Sequence, residues 1–290
     1  MSAPHRAGVV AILGRPNAGK SSLLNAILGE KLAIVCAKPQ TTRSRILGIK
    51  NRPGEQILFF DTPGLHESSR TLNEILNRQA REAGDDCDVA LLLFDLLGGW
   101  GEDHAALLAR LNERGTSVIV AGTKLDRAGA REAAFPPPGA EVACRVSSRS
   151  GEGVEALLDA ISERLPESPP LYPEDDVSDR SLRFLAAELV REAATDALDQ
   201  ELPYALAVEI EQFDESRSDL VRIRANLIVE RASQKKIAIG EGGRRIKQIG
   251  IRARREIEKL VESQVYLELW VKVEPRWTKR PARIKALGYV

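Results

Sequence analysis

Eight residues, Gly14-Arg15-Pro16-Asn17-Ala18-Gly19-Lys20-Ser21, constrain this chain more than any other stretch. They match the pattern G-x-x-x-x-G-K-S/T. The apolar run at 9–13 predicts a buried strand before them, and residues 22–28 predict a helix after them. A strand that turns through glycines into a helix is a phosphate-binding loop. Its backbone can wrap an anion, and N–H groups from Gly14, Asn17, Ala18, Gly19 and the helix start through Ser22 face the phosphates. Lys20 is placed to reach the β- and γ-phosphates, and the Ser21 hydroxyl to ligate Mg²⁺. A glycine turn with a chance lysine would not come with both flanking elements.

Three later segments choose the base. The apolar run 56–60 delivers Asp61-Thr62-Pro63-Gly64, where Asp61 would hold Mg²⁺ through water and the Gly64 N–H would sense the γ-phosphate. The run 118–122 delivers Thr123-Lys124-Leu125-Asp126. An Asp126 carboxylate accepts two hydrogen bonds from guanine N1 and N2, which adenine cannot supply, and an unpaired buried acceptor discriminates strongly. The run 141–146 delivers Ser147-Ser148-Arg149, whose backbone can donate to guanine O6. GTP is thus favoured over ATP. Such base loops usually open with Asn. Thr123 is shorter, and is expected to miss the amide's contacts to N7 and to the neighbouring loop. Ser148 stands where Ala is common and acts through its backbone.

The loop at 31–45 contains Gln40-Thr41-Thr42-Arg43. Of its two threonines, Thr42 is chosen over Thr41 to complete the Mg²⁺ sphere when γ-phosphate is present, the dependence that makes a switch. Leu65 follows Gly64, and a leucine cannot orient water as the glutamine of Ras-type switches does. His66 is read as a solvent-facing loop histidine. Unaided hydrolysis is expected at about 10⁻⁴ to 10⁻² s⁻¹.

The 290 residues suffice for two domains. Cys36, Cys87 and Cys144 have no paired spacing, and three histidines form no metal constellation. With no signal segment and no apolar run long enough to span a bilayer, the chain reads as cytoplasmic and reduced. Its zero net charge conceals an asymmetry: residues 171–230 carry 6 Lys+Arg against 15 Asp+Glu, and residues 231–290 carry 16 against 6. Four prolines and clustered acids at 166–180 mark a linker. The domains expected are therefore a nucleotide-binding unit at 1–166, the linker at 167–180 and a second unit at 181–290. In the first, helices at 72–83, 102–114 and 154–165 alternate with strands, predicting an α/β mostly parallel sheet covered on both faces. Residues 46–60 form a hairpin turning at 51–54.

The second unit reads helix, strand, strand, helix, Gly240-Glu241-Gly242-Gly243, helix, strand. That order is a type II KH domain, an α+β fold. Bare glycines in the turn let a single-stranded backbone lie against helix N-termini, clamping about four nucleotides. Lys235, Lys236, Arg244, Arg245 and Lys247 supply charge, and Ile237, Ile239, Ile246 and Ile249 the apolar groove. A lone G-x-x-G is a common turn; topology and flanking charge make it an RNA site, with no DNA expected.

A GTPase domain joined through a proline-rich segment to a KH domain resembles the Era family of bacterial GTPases over nearly the whole chain. The shared stretches are 14–21, 40–43, 61–65, 201–204, 229–235, 267–273 and 287–290. The resemblance implies GTP-dependent binding near the 3′ end of small-subunit ribosomal RNA, a role in 30S assembly, and peripheral membrane association of a monomer. Asn17 adds potassium as a candidate cofactor, because in related GTPases lacking the glutamine an Asn there helps hold K⁺ beside the phosphates. Two other readings stay open: a nucleotide-liganded RNA scaffold without turnover, and a regulatory GTPase at the membrane.

Overall fold

The computed structural model describes residues 4–36, 38, 43, 46–61, 87–199 and 202–289. The helix expected at 72–83, Thr41 and Thr42, and the segment from Thr62 to His66 lie outside these residues. The chain forms two compact units. Among the described residues, the first comprises 4–33, 43, 46–61 and 87–179, and the second 180–289 together with 34–36 and 38.

The first unit runs β1 (Arg6–Gly14), α1 (Lys20–Leu28), β2 (Ile46–Arg52), β3 (Glu55–Asp61), β4 (Val89–Asp95), α2 (Glu102–Glu113), β5 (Ser117–Thr123), β6 (Ala143–Arg145) and α3 (Val154–Ser162). The sheet order is β2-β3-β1-β4-β5-β6. Only β2 is antiparallel, paired with β3 from Ile46 opposite Asp61 to Arg52 opposite Glu55. Central strands of such a sheet are covered on both faces and read as unbroken apolar runs. Accordingly Val89 to Phe94 are all buried. Strand order reverses beside β1, so the loops leaving β1, β3, β5 and β6 gather at the carboxyl ends of parallel strands, where open α/β sheets bind ligands.

The proline-rich segment lies along the sheet's outer strands. Ile49 N donates to Val177 O (2.8 Å) and Ser178 Oγ to Leu47 O (2.6 Å). The buried Gln56 side chain accepts from Leu171 N and Tyr172 N and donates to Tyr172 O. A segment that cannot form a strand of its own thus covers β2, an edge strand that would otherwise present unpaired backbone.

In the second unit the elements are α4 (Leu182–Ala197), β7 (Ala207–Arg217), β8 (Leu220–Val229), α5 (Ala232–Ile239), α6 (Arg244–Val261), β9 (Gln264–Val273) and α7 (Pro281–Ala286). The sheet order is β7-β8-β9, antiparallel then parallel. Period-two alternation turns Val221, Ile223, Ala225 and Leu227 toward the helices, against Val190, Ala194, Ile249, Ala253 and Ile257. Inside α4, Arg191 and Glu188 form a buried pair (Nε to Oε1 2.8 Å). The carboxylate and its hydrogen bonds outweigh burial and hold the guanidinium pKa above its usual value. Trp277 is fully buried and donates from Nε1 to Ala205 O (3.0 Å), closing one end of the unit. Residues 34–36 and 38 reach this unit through α4: Val35 N donates to Glu192 Oε1 (3.0 Å), and Lys38 Nζ to Thr195 O (2.9 Å) and Leu198 O. A cation there suits the negative end of the helix.

Candidate nucleotide and RNA sites

The phosphate loop is shaped by its first glycine. Gly14 has φ +143°, and a Cβ there would lie 2.5 Å from Leu93 O on β4. Gly19, at φ +94°, opens α1 without a side-chain cap, so first-turn N–H groups are available to an anion. Asn17 also has positive φ (+61°) and is exposed on the turn. Ala18 is buried, and Ser22 lies in the first turn of α1. Lys20 is 6% exposed. Its Nζ lies across the loop, donating to Gly14 O (3.1 Å) and Arg15 O (3.0 Å). Burial pushes the Lys20 pKa down and nearby Asp61 partly opposes it. A bound polyphosphate would strengthen that opposition by supplying anionic charge beside the ammonium.

Ser21 Oγ donates to Asp61 Oδ2 (2.6 Å), bringing a hydroxyl and a fully buried carboxylate together beneath the loop. Two hard oxygen donors beside a phosphate cradle fit Mg²⁺, which takes one or two protein oxygens and leaves its other positions to phosphate and water. Among the described residues no group of three or more His, Cys, Asp or Glu could hold a metal by itself.

The base loop corrects one expectation and sharpens another. Thr123 does reach the neighbouring loop: its buried hydroxyl lies 2.7 Å from Ala18 O and 3.1 Å from Phe94 O. A shorter side chain suffices because β5 itself ends against the phosphate loop, so Thr123 ties the two loops together. Lys124, at φ +61°, donates to Asp95 Oδ2 (2.7 Å). Burial would raise the Asp95 pKa, but the Lys124 bond and charge outweigh it and lower the value. Ser147, expected to act on guanine through its backbone, instead donates its side-chain hydroxyl to Asp126 Oδ1 (2.8 Å). Its own N–H goes to Glu152 O, and Arg149 N donates to Ser147 Oγ. Ser148 therefore carries the N–H of this turn left for a base among the described residues.

Sequence reasoning missed two supports. Asp95 fixes Lys124, and Asp103 holds Arg15 of the phosphate loop through paired hydrogen bonds from Nε and Nη2. Asp103 lies in the first turn of α2, where His104 Nδ1 accepts from Gly101 N (3.1 Å). The only available signal was an acidic first turn, which any helix can carry.

In the second unit Gly240 to Gly243 join α5 to α6. Gly240, Gly242 and Gly243 all have positive φ (+74°, +56° and +76°). A Cβ on Gly240 would meet Arg245 at 2.7 Å, whereas nothing lies within 4 Å of one on Gly242 or Gly243. Arg245 Nη1 donates to Ile237 O (2.8 Å) and closes the end of α5. Arg244 faces Glu241 at 3.8 Å, with both side chains largely exposed. Lys235, Lys236 and Lys247 are exposed. The four isoleucines read as one groove divide: Ile249 is core, Ile239 and Ile246 pack half-buried against it, and Ile237 is 47% exposed.

Residues 9–124 match the family model described as a 50S ribosome-binding GTPase, and residues 201–278 match the KH domain model. GTPase Era of Stenotrophomonas maltophilia strain K279a is 43% identical over 294 residues, covering 99% of this chain and 98% of that protein. GTPase Era of Xanthomonas axonopodis pv. citri is 43% identical over 297 residues, covering 100% and 99%. Among solved structures, Era in complex with MgGDPNP and nucleotides 1506–1542 of 16S ribosomal RNA superposes with a TM-score of 0.92 at 38% identity, covering 99% of each chain. An Aquifex aeolicus Era variant bound to GDP and AlF4⁻ gives 0.93 at 37%, covering 98% of this chain and 99% of that one. Identity at this level over the full length of both units makes this chain a member of the Era family of GTPases.

Proposed function

We propose that this chain is a GTP-hydrolysing switch that binds the 3′ end of small-subunit ribosomal RNA and acts in assembly of the 30S subunit. The observation that carries the nucleotide half is Asp126, held by the Ser147 hydroxyl on a loop that Thr123 ties to the phosphate cradle. The carboxylate reads guanine N1 and N2, and the Ser148 N–H meets O6. Lys20 and the α1 N-terminus hold the phosphates. Ser21 and Asp61, with Thr42 once γ-phosphate is bound, are the residues to hold Mg²⁺, which when present neutralises charge developing between the β- and γ-phosphates. The relative solved with MgGDPNP and 16S nucleotides supports this reading.

Hydrolysis unaided is slow in this reading, because Leu65 replaces a water-orienting glutamine. Asn17 supports K⁺ beside the phosphates, and turnover should be faster in K⁺ than in Na⁺. The RNA half rests on the open Gly242–Gly243 turn among exposed Lys235, Lys236 and Lys247. We assign the protein to the cytoplasm as a monomer, with peripheral contact at the inner membrane face through the cationic 231–290 segment. No helix of the described residues is long and apolar enough to cross a membrane.

Asp126→Asn tests the assignment. An amide presents one acceptor and one donor where guanine needs two acceptors, so preference should move from GDP to XDP by about 2 kcal/mol or more, as for a buried mismatch. A variant still preferring GDP in competition binding overturns the base loop.

A further inference from the structure

We propose that the open face of the β7-β8-β9 sheet is a second RNA contact, a stacking platform for unpaired bases that is separate from the Gly240–Gly243 turn. This rests on the RNA-binding reading above. The alternation that buries one face of β8 and β9 turns the other outward. Register sets Arg222 beside Tyr266, Arg224 beside Glu268 and Asn226 beside Trp270. Tyr266 is 55% exposed and Trp270 61%, although both belong to a regular strand and point the same way. One end of this face is closed, since Ile228 and Asn226 are buried. Toward the other end lies a cavity of about 280 Å³, lined by Gln212, Leu220, Arg222, Arg224, Tyr266 and Glu268.

The polar groups around the rings identify the occupant. Exposed Trp, Tyr and Arg also mark protein interfaces, but the centre of such an interface is depleted of charge. Here the Arg224–Glu268 pair (2.9 Å) lies on the face between the two rings. A protein side chain would have to desolvate that pair, whereas a base offers polar edges to it and to the Gln212 amide. Arg222 lies opposite Asp214 on β7, whose carboxylate feels its charge without coming within ion-pair distance, so the guanidinium can also meet a phosphate beside the Tyr266 ring. Tyr266 and Trp270 are about 13 Å apart along the strand, four residues at the usual rise. That leaves one base for each ring, as on other sheet surfaces that stack two or three bases on aromatics.

The test uses the full-length protein and two unstructured single-stranded RNA probes carrying the same 3′ sequence. One has about six nucleotides, close to the about four that the G-x-x-G turn clamps, and the other about twenty. Tyr266→Ala/Trp270→Ala should weaken the longer RNA at least about fivefold, the low end for one lost stack, and leave the shorter one unchanged. Tyr266→Phe/Trp270→Phe should restore binding, because the rings remain. Ultraviolet cross-linking to the longer RNA should map to the peptide carrying both aromatics. Equal affinity of the alanine variant and the unmodified protein for the longer RNA overturns the proposal. So does an equal loss for both lengths, which would mark a folding defect. A variant that binds both RNAs normally but no longer co-sediments with 30S subunits would make this face a protein dock instead. If the unmodified protein binds neither RNA, the RNA reading fails and the platform with it. If the unmodified protein binds both RNAs and the alanine variant matches it on each, the platform alone fails.

Discussion

Two glycine turns that each open a helix lie in this chain, and they use glycine for opposite reasons. Gly14 is required by the protein itself: its φ is +143°, and a Cβ would collide with Leu93 O at 2.5 Å. The loop it begins is buried at Ala18 and Lys20 and fastened by Thr123, by Asp103 through Arg15, and by Lys20 reaching back to its own carbonyls. Gly242 and Gly243 crowd nothing, and the turn around them is exposed. The first cradle is held in shape by the protein's own contacts and suits one compact polyanion. The second is a bare strip of backbone whose missing side chains matter only when a long ligand lies across it. Preorganisation lowers the ordering cost of binding, so the first should gain more affinity per contact.

The largest effect that would test this contrast is Gly14→Ala. The new methyl must displace backbone of the central strand β4 while holding a conformation alanine rarely adopts, at a cost of about 2 kcal/mol or more. Thermal unfolding should show the first unit destabilised and GDP binding lost together. A stable Gly14→Ala protein with normal GDP affinity would mean that the loop is not built around that contact.

Gly242→Asp should do the reverse. At φ +56° and ψ +23° the residue is left-handed, where Asp is better tolerated than most side chains, and the surrounding space is empty. Fold and RNA-independent GTP hydrolysis should survive, while single-stranded RNA binding falls by about tenfold or more through charge repulsion and blocked approach. Gly242→Asn, equal in size and neutral, separates the two causes in fluorescence anisotropy. A folded Asp variant with unchanged RNA affinity removes the turn from the RNA site.

How much of each cradle was legible beforehand follows from the same contrast. The phosphate loop, the place of Asp126 just past β5 and the mostly parallel sheet around them were readable because each rests on short-range chemistry: an apolar run, a glycine, a charged residue beyond the strand's end. The KH topology was readable because period-two and helical patterns alternate cleanly from 182 to 273. What escaped were contacts between distant residues with ordinary side chains. Nothing local told that the Ser147 hydroxyl would orient Asp126, or that Thr123 would bridge to Ala18 and so do the tying expected of an Asn. Arg15 and Asp103 are 88 positions apart. The isoleucine groove was over-read for a related reason: helical spacing places residues on one face without saying which of them face the core. The proline-rich segment was read as a tether because its composition forbids regular structure, yet backbone groups of such a segment can still pair with an edge strand.

The smallest effect concerns the support beneath the first cradle. His104, 4% exposed at the start of α2, accepts the Gly101 N–H through Nδ1 and stacks on Trp100 (centroids 5.1 Å apart). Burial lowers its pKa below the ordinary 6.5; Asp103 opposes and Arg15 adds to the shift. The unfolded chain therefore takes up the proton first. Stability from the neutral ring is complete above about 6.5 and is lost as pH falls through that value toward the lower folded one, at no more than about 1.4 kcal/mol per pH unit. Protonation would also remove the Nδ1 acceptor and loosen the turn from which Asp103 holds Arg15. His104→Gln keeps a capping side chain at that position but cannot titrate. Between about pH 7 and 5.5 the unmodified protein should lose melting temperature and GDP affinity faster than His104→Gln. RNA binding at the other turn should not follow that difference, because all three histidines, His5, His66 and His104, precede residue 180. Parallel pH profiles for the two proteins would show that the first cradle stands without this support.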